Sequence, residues 1–313
     1  MSLNKIDIVL ASFNGSKYIK EQIESIQLCN GYDKLVNKII ISDDYSSDDT
    51  KDILNEFGDE KICFHYNKNA KGPVGNFAHG LSLSTASFVM FSDQDDVWYQ
   101  DKLEKFYEKA ILLDDKNPGA VYSDLLLVND KLLPLGQTFF SNENIPHNWG
   151  TNISNLYLQN VAPGCAMLIN RCCVNRVFPM NEEKILMHDW WVLLFSSVYS
   201  NVIVINEPLT RYRQHSSNVI GASVKGGWKT YFQKLKMSRL NFHRAIRQIG
   251  YFKSQLTNLE MNSLESVDKS RLDFLSNFYS VNFNRRFGAA ICTNRYKSTL
   301  IRDLGTRIFI LIG

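Results

Sequence analysis

Apolar and polar positions along the first 130 residues switch repeatedly between two periods. "KIDIVLAS" (5–12) is short and rich in branched side chains, which predicts a buried strand, and "GSKYIKEQIESIQLC" (15–29) repeats its apolar residues at helical spacing. A second strand over "KIIISDD" (38–44) precedes a helix over "SSDDTKDILNEF" (46–57), whose leading Ser46, Ser47, Asp48 and Asp49 suit a helix cap. "KICFHYN" (61–67) predicts a third strand, followed by a loop and helix over 72–84. "SFVMFSD" (87–93) predicts a fourth, followed by a helix over 99–115. Repeated strand–helix units predict a parallel sheet with helices on both faces.

The pattern changes from about residue 120. Strands are expected in "AVYSDLLLVN" (120–129), "VAPGCAMLIN" (161–170) and "NVIVINEPLTRYRQH" (201–215), extending the sheet and walling a second substrate. Beyond about 222 only helical spacing remains. The chain thus divides into an α/β domain over 1–221, with halves of about 1–130 and 131–221, and a helical region over 222–313.

In a doubly wound sheet, ligands bind beyond the carboxyl ends of the strands. The residues leaving strands one, two and four are "ASFNG" (11–15), "SDDYSSDD" (42–49) and "SDQDD" (92–96), so their aspartates share one rim. Asp93-Gln94-Asp95 offers hard oxygen donors suited to Mg²⁺ or Mn²⁺ and a diphosphate, with Asp96 as a spare ligand or structural partner. A solvated loop is the bland alternative, and three crowded carboxylates followed by Trp98 argue against it. Asp43 and Asp44 stand where an acid can accept from a ribose hydroxyl or a base N–H. Neither a dinucleotide fingerprint nor a P-loop is present, so a nucleotide would be held by side chains and metal.

Two later stretches carry chemistry. In "MHDWW" (187–191), Asp189 is either a helix cap or a general base, with His188 and Trp190 beside it. In "RYRQH" (211–215), Arg213 suits a phosphate and His215 a metal or a packed surface.

Composition narrows the classes. A hydrophobic fraction of 44% and a net charge of +3 describe a globular chain with no bias toward nucleic acid. Basic residues do crowd 234–248 and 283–307, which suits either solvated helix faces or an anionic surface. The six cysteines lack zinc spacing, and the expectation is reduced thiols in the cytosol. The apolar runs fall short of a membrane span. The tail "STLIRDLGTRIFILIG" (298–313) is open to membrane-surface contact, to packing on the body, or to a second subunit.

Taken in order, "VLASFNGSKYIKEQIESI", "ISDDYSSDDT", "KNAKGPVGNFAHGL", "FSDQDDVW", "HDWW" and "YRQH" resemble the family-2 glycosyltransferases, and more narrowly their bacterial rhamnosyltransferase-like branch. The resemblance covers residues 5 to about 220. It implies a GT-A fold and inverting transfer from a nucleotide-activated sugar, with dTDP-L-rhamnose as first guess, to a cell-surface polysaccharide or lipid-linked glycan. By that resemblance Ser12, Asn14, Asp43, Asp44, Asn76, Asp93 and Arg213 face the nucleotide sugar. Asp93, Asp95 and His215 hold Mg²⁺ or Mn²⁺, and Asp189 is the base. His188, Trp190 and Trp98 border the acceptor. Many relatives have Glu where His188 stands. A peripheral place on the inner membrane face and a homo-oligomer are further expectations. A haloacid-dehalogenase-like phosphatase and a non-catalytic sugar-binding module are the competing readings; the first normally begins with its Asp-bearing strand, and the second has no use for Asp189.

Overall fold

The computed structural model describes residues 5–68, 72–215 and 228–313, with side chains after the second gap described from residue 236. The sheet is assembled from β1 (Ile6–Ser12), β2 (Val36–Asp43), β3 (Ile62–Tyr66), β4 (Phe88–Asp93), β5 (Val97–Trp98), β6 (Ala120–Val128), β7 (Pro134–Thr138), β8 (Met167–Asn170) and β9 (Val202–Arg213). Their order is β3-β2-β1-β4-β8-β6-β9-β5, with β7 alongside β6. The first four strands are parallel, as their helical crossovers require. β8 then runs antiparallel to both β4 and β6, which makes the sheet mixed, as a GT-A fold implies.

Successive side chains on a strand point to opposite faces, and the core divides accordingly. Ile8, Leu10, Ile39, Ile41, Met90, Val121 and Leu168 pack against Ile19, Ile23 and Ile26 of helix Ile19–Gln27 and against Leu103 and Phe106 of helix Lys102–Ala110. Their neighbours Val9, Ile40, Val89, Phe91, Tyr122 and Ile169 face the other way. There they meet Phe77 and Leu81 of helix Gly72–Leu83 and Trp191 and Phe195 of helix His188–Val198. Both faces being buried explains why these strands read as unbroken apolar runs.

The expected boundary at 221/222 lies outside the described residues. Past it, Phe242, Ile249 and Phe252 of helix Trp228–Gln255 join the second layer, followed by Leu272, Phe278, Phe309 and Ile310. Trp191 stacks on Tyr251 with centroids 5.3 Å apart, and Phe195 meets Phe252 edge-on at 5.0 Å. Among the described residues no helix is long and apolar enough to cross a membrane.

Two local expectations change. The helix after β2 begins at Thr50, and Asp49 before it makes no side-chain cap. Ser46 holds the loop after β1 instead, while Asp48 does both, accepting from Ser16 N and from Thr50 N at the helix start. β5 and β7 carry too little periodicity to be anticipated: one has two residues, and the other is exposed and contains Pro134 and Gly136.

Candidate active site

Three strand ends meet at the rim where strand order reverses, the place an open α/β sheet offers a ligand. Ala11 of β1 lies opposite Asp93 of β4, and Ser12 opposite Asp43 of β2. A cavity of about 700 Å³ opens above them, within the range of small-molecule sites. One wall is Ser12, Phe13 and Asn14 with Asp44 and Asn76. Asp93, Gln94, Asp95 and His215 form the second, and residues 160–165 with Met187, His188 and Asp189 the third.

The loop after β1 is pinned from both sides. Asn14 takes a left-handed backbone (φ 48°), which asparagine tolerates. Its N–H donates to Ser46 Oγ at 2.7 Å, its Oδ1 accepts from Ser47 N at 2.9 Å, and Ser16 N donates to Asp48 at 3.0 Å. From the other side Gln94 accepts from Phe13 N (2.9 Å) and donates to Phe13 O (3.0 Å). A Cβ on Gly15 would come within 2.3 Å of Gln94 Oε1, so this close approach needs glycine. Asn76 donates to Ser12 O at 3.0 Å, while the buried Ser12 Oγ has no partner.

The two acids after β2 separate. Asp43 is fully buried and accepts from both the N–H and the hydroxyl of Ser46 (2.7 and 2.6 Å), so it shapes the turn and does not reach the cavity. Asp44 does line it, accepting from Asn67 and from Gly72 N.

The acidic stretch forms a crowded shelf. Ligand atoms of Asp93, Asp96 and Cys165 lie within 4.8 Å of one another. Asp95 Oδ2 is 2.8 Å from His215 Nε2, and His215 stacks on Tyr18 with centroids 5.2 Å apart. Burial, then the charges of Asp95 and Asp189, pushes Asp93 up to about 7. Burial and the charges of Asp95 and Asp93 drive Asp96 well above the carboxylate range, and its Oδ2 is buried without a partner. Buried Lys102 sits below, donating to Cys165 O at 2.8 Å and Thr210 Oγ1 at 2.7 Å. Carboxylates in this condition fit a divalent cation, whose charge would reverse their mutual penalty. Asp93 and Asp95 supply hard oxygens, and His215 a nitrogen that Mn²⁺ accepts.

Across the cavity, Asp189 opens helix His188–Val198. Its Oδ1 accepts from Asn160 Nδ2 at 2.9 Å and from Trp190 N at 2.6 Å, and burial raises its pKa to about 7. A carboxylate so tuned has the proton affinity that a general base near neutrality requires. His188 packs on Phe77 with the rings tilted by 30° and centroids 3.9 Å apart, and edge-on to Phe91; burial lowers it to about 3, so the ring is neutral. Neither of its ring nitrogens has a hydrogen-bond partner.

The structure therefore brings Ser12, Asn14, Asp44, Asn76, Asp93, Asp95, His188, Asp189 and His215 to one cavity. Asp43, Arg213, Trp98 and Trp190 do not line it. Arg213 is buried and spent on protein acceptors: Asp95 O at 2.8 Å, Asp130 O and Glu21 Oε2. Trp98 roofs Lys102 Nζ at 3.8 Å, and Trp190 Nε1 donates to Leu156 O in the core. Gln94, Asn160, Gly164, Tyr18 and Asp130 were not anticipated; each is a common residue type whose role depends on a partner distant in sequence.

Residues 7–168 match the profile of the family described as Glycosyl transferase family 2. The chain is 26% identical over 250 residues to the dTDP-rhamnosyl transferase RfbG of Shigella flexneri, spanning 75% of this chain and 81% of that one. It is 25% identical over 243 residues to the putative teichuronic acid biosynthesis glycosyltransferase TuaG of Bacillus subtilis, spanning 77% and 91%. Of solved structures, S. aureus TarS 1–349 in complex with UDP-GlcNAc superposes with a TM-score of 0.56 at 15% identity, over 92% of this chain and 76% of that one. The mannosyltransferase PcManGT from Pyrobaculum calidifontis, in complex with GDP-Man and Mn²⁺, gives 0.54 at 13% identity, over 98% and 86%. These two likenesses speak to the fold alone. With the family match covering more than half of the sequence, this chain belongs to glycosyltransferase family 2, an enzyme of GT-A fold.

Proposed function

We propose that the enzyme is an inverting, metal-dependent glycosyltransferase that moves L-rhamnose from dTDP-L-rhamnose to a hydroxyl of a cell-surface polysaccharide or lipid-linked glycan, working at the cytoplasmic side of the membrane. The observation that carries this reading is one cavity with two unlike walls: a crowded acidic shelf at Asp93 and Asp95, and across from it the single buried carboxylate of Asp189, held by Asn160 and Trp190 N.

In this reading Ser12, Asn14, Asp44 and Asn76 cradle the nucleotide, and Asp93, Asp95 and His215 hold Mg²⁺ or Mn²⁺. The bound ion supplies positive charge for the departing diphosphate. Asp189 takes the proton of the acceptor hydroxyl, whose oxygen bonds to the anomeric carbon as the bond to the nucleoside diphosphate breaks. Attack from the face opposite the leaving group inverts that carbon, with an oxocarbenium-like transition state. His188, neutral and packed on Phe77, backs the base with a dry wall and adds no competing charge. The rhamnose assignment draws on the likeness to RfbG, a dTDP-rhamnosyl transferase by name. The lipid-linked acceptor draws on WfgD of Escherichia coli, named for a diphosphoundecaprenol substrate and 25% identical over 217 residues.

A thermal-shift panel of nucleotide sugars with and without Mn²⁺ tests it. dTDP-L-rhamnose with metal is expected to give the largest rise. A larger rise with a UDP- or GDP-sugar overturns the donor assignment, and no metal-dependent rise with any donor overturns the site.

A further inference from the structure

The two last helices leave an apolar face outside the core. In helix Leu300–Ile312, residues 300, 301, 304, 308 and 312 fall within an arc of about 120° at 3.6 residues per turn. These are Leu300, Ile301, Leu304, Ile308 and Ile312, between 48% and 86% exposed, while Asp303, Thr306 and Ile310 on the opposite side are buried. In helix Phe283–Ile291, Phe283, Phe287 and Ile291 form a second stripe, 65%, 49% and 65% exposed. The pair is held together from beneath: Phe309 meets Phe242 of helix Trp228–Gln255, and Arg307 donates to Ala290 O and Cys292 O. Eight large exposed apolar side chains on adjoining helices are more than a monomer's surface ordinarily carries.

Basic residues predominate around this face, although Arg302 pairs with Glu143, Lys253 pairs with Asp273, and Lys297 turns inward to donate to Leu158 O. Residues 274–313 contain Arg285, Arg286, Arg295, Lys297, Arg302 and Arg307 against a single acid, Asp303, which is buried and paired with Arg307. Residues 236–255 of the adjoining helix contain Lys236, Arg239, Arg244, Arg247 and Lys253 and no acid. Arg239 reaches Gly313 O at 3.1 Å, so the basic helix borders the apolar arc. At 13 residues the terminal helix is about 20 Å long, too short to span a bilayer but able to lie along one.

We infer that this face docks on a membrane leaflet rich in anionic lipid: the Leu300–Ile312 and Phe283–Ile291 stripes enter the headgroup–acyl boundary, and the flanking Arg and Lys side chains meet lipid phosphates. Complementarity of charge selects this occupant. A second copy of the chain would bring the same positive surface against itself. The inference rests on the proposed function only in giving a lipid-linked acceptor a reason to lie nearby. Vesicle binding is read without any sugar transfer, so either reading can fail alone.

The test is flotation of the full chain with vesicles of phosphatidylcholine alone or of phosphatidylcholine mixed with phosphatidylglycerol. Roughly tenfold or greater enrichment on the anionic vesicles is expected, falling as salt is raised. Ile301→Glu combined with Leu304→Glu, and separately Phe287→Glu, should each lose that enrichment while keeping the wild-type circular dichroism, because these side chains are exposed. Wild-type protein that ignores both vesicles, or binds them equally, overturns the proposal. So does a dimer in size-exclusion light scattering that Ile301→Glu dissociates, because the face is then covered by a second copy.

Discussion

Asp189→Asn separates what this carboxylate does for turnover from what it costs the fold. Burial holds its pKa at about 7 against an ordinary 3.8. At about 1.4 kcal/mol per unit, the ionised form is penalised by about 4 kcal/mol in the folded chain. The residue is only 4% exposed, so solvent screening removes little of this. Below about pH 3 the group is largely neutral in folded and unfolded chains alike. As pH rises the unfolded chain ionises first, so stability falls until the folded carboxyl also ionises near 7. Asparagine carries no such penalty, and its carbonyl oxygen can accept from Trp190 N and Asn160 as Oδ1 does. The variant should therefore be more stable than wild type by up to about 4 kcal/mol above pH 7, a gain that fades toward about pH 3. At about 2 °C per kcal/mol, its Tm at pH 8 should be up to about 8 °C higher. Turnover moves the other way: a base must be ionised, so wild-type kcat/KM climbs about tenfold per pH unit below 7 and levels above it, and the variant loses about 10²- to 10⁴-fold. Differential scanning fluorimetry across pH in chelator, paired with nucleotide-diphosphate release in metal, reads both. A stability gain that ignores pH, or more than a tenth of wild-type turnover, refutes the assignment.

Asp95→Ala should lose metal-dependent donor binding in calorimetry. Chelator should silence the wild type reversibly, and turnover unchanged in EDTA would reject the cation. Gly164→Ala would set a Cβ 2.4 Å from His188 Nε2, and His188 is wedged against Phe77. The displaced base should cost about 10²-fold in kcat with donor KM held, and an unchanged kcat would mean that the wall yields. Arg213→Ala strips a buried cation from Glu21, Asp95 O and Asp130 O, and should cost about 3 kcal/mol in urea unfolding. A selective rise in donor KM at unchanged stability would instead return Arg213 to the phosphate role.

The sheet was legible because both its faces are buried and the crossovers are short, so strand and helix periods stand out in turn. The rim was legible for a topological reason: Ser12, Asp93 and their neighbours are the residues that follow the strands. What could not be read was the direction of a side chain at the rim. Asp43 and Asp44 are adjacent, and a strand's alternation sends one into the turn and the other toward the cavity. Arg213 ends its strand and turns to Glu21, whereas His215, two residues past it and off the strand, reaches the Asp95 carboxylate. Trp98 and Trp190 look like platforms by residue type, yet each is claimed by a core partner, Lys102 and Leu156 O. Gln94 and Asn160 act on Phe13 and Asp189, residues 81 and 29 positions away, and no local pattern announces such pairs.

The stack of Trp191 and Phe195 on Tyr251 and Phe252 has a bearing on how this enzyme can be handled. The helix that brings Asp189 to the cavity rests its far side on segments more than fifty residues downstream. An enzyme trimmed at the expected boundary near residue 221 would leave those rings bare and the helix that carries Asp189 unsupported on that side. The region that reads as an appendage thus forms the bed on which the helix carrying Asp189 lies.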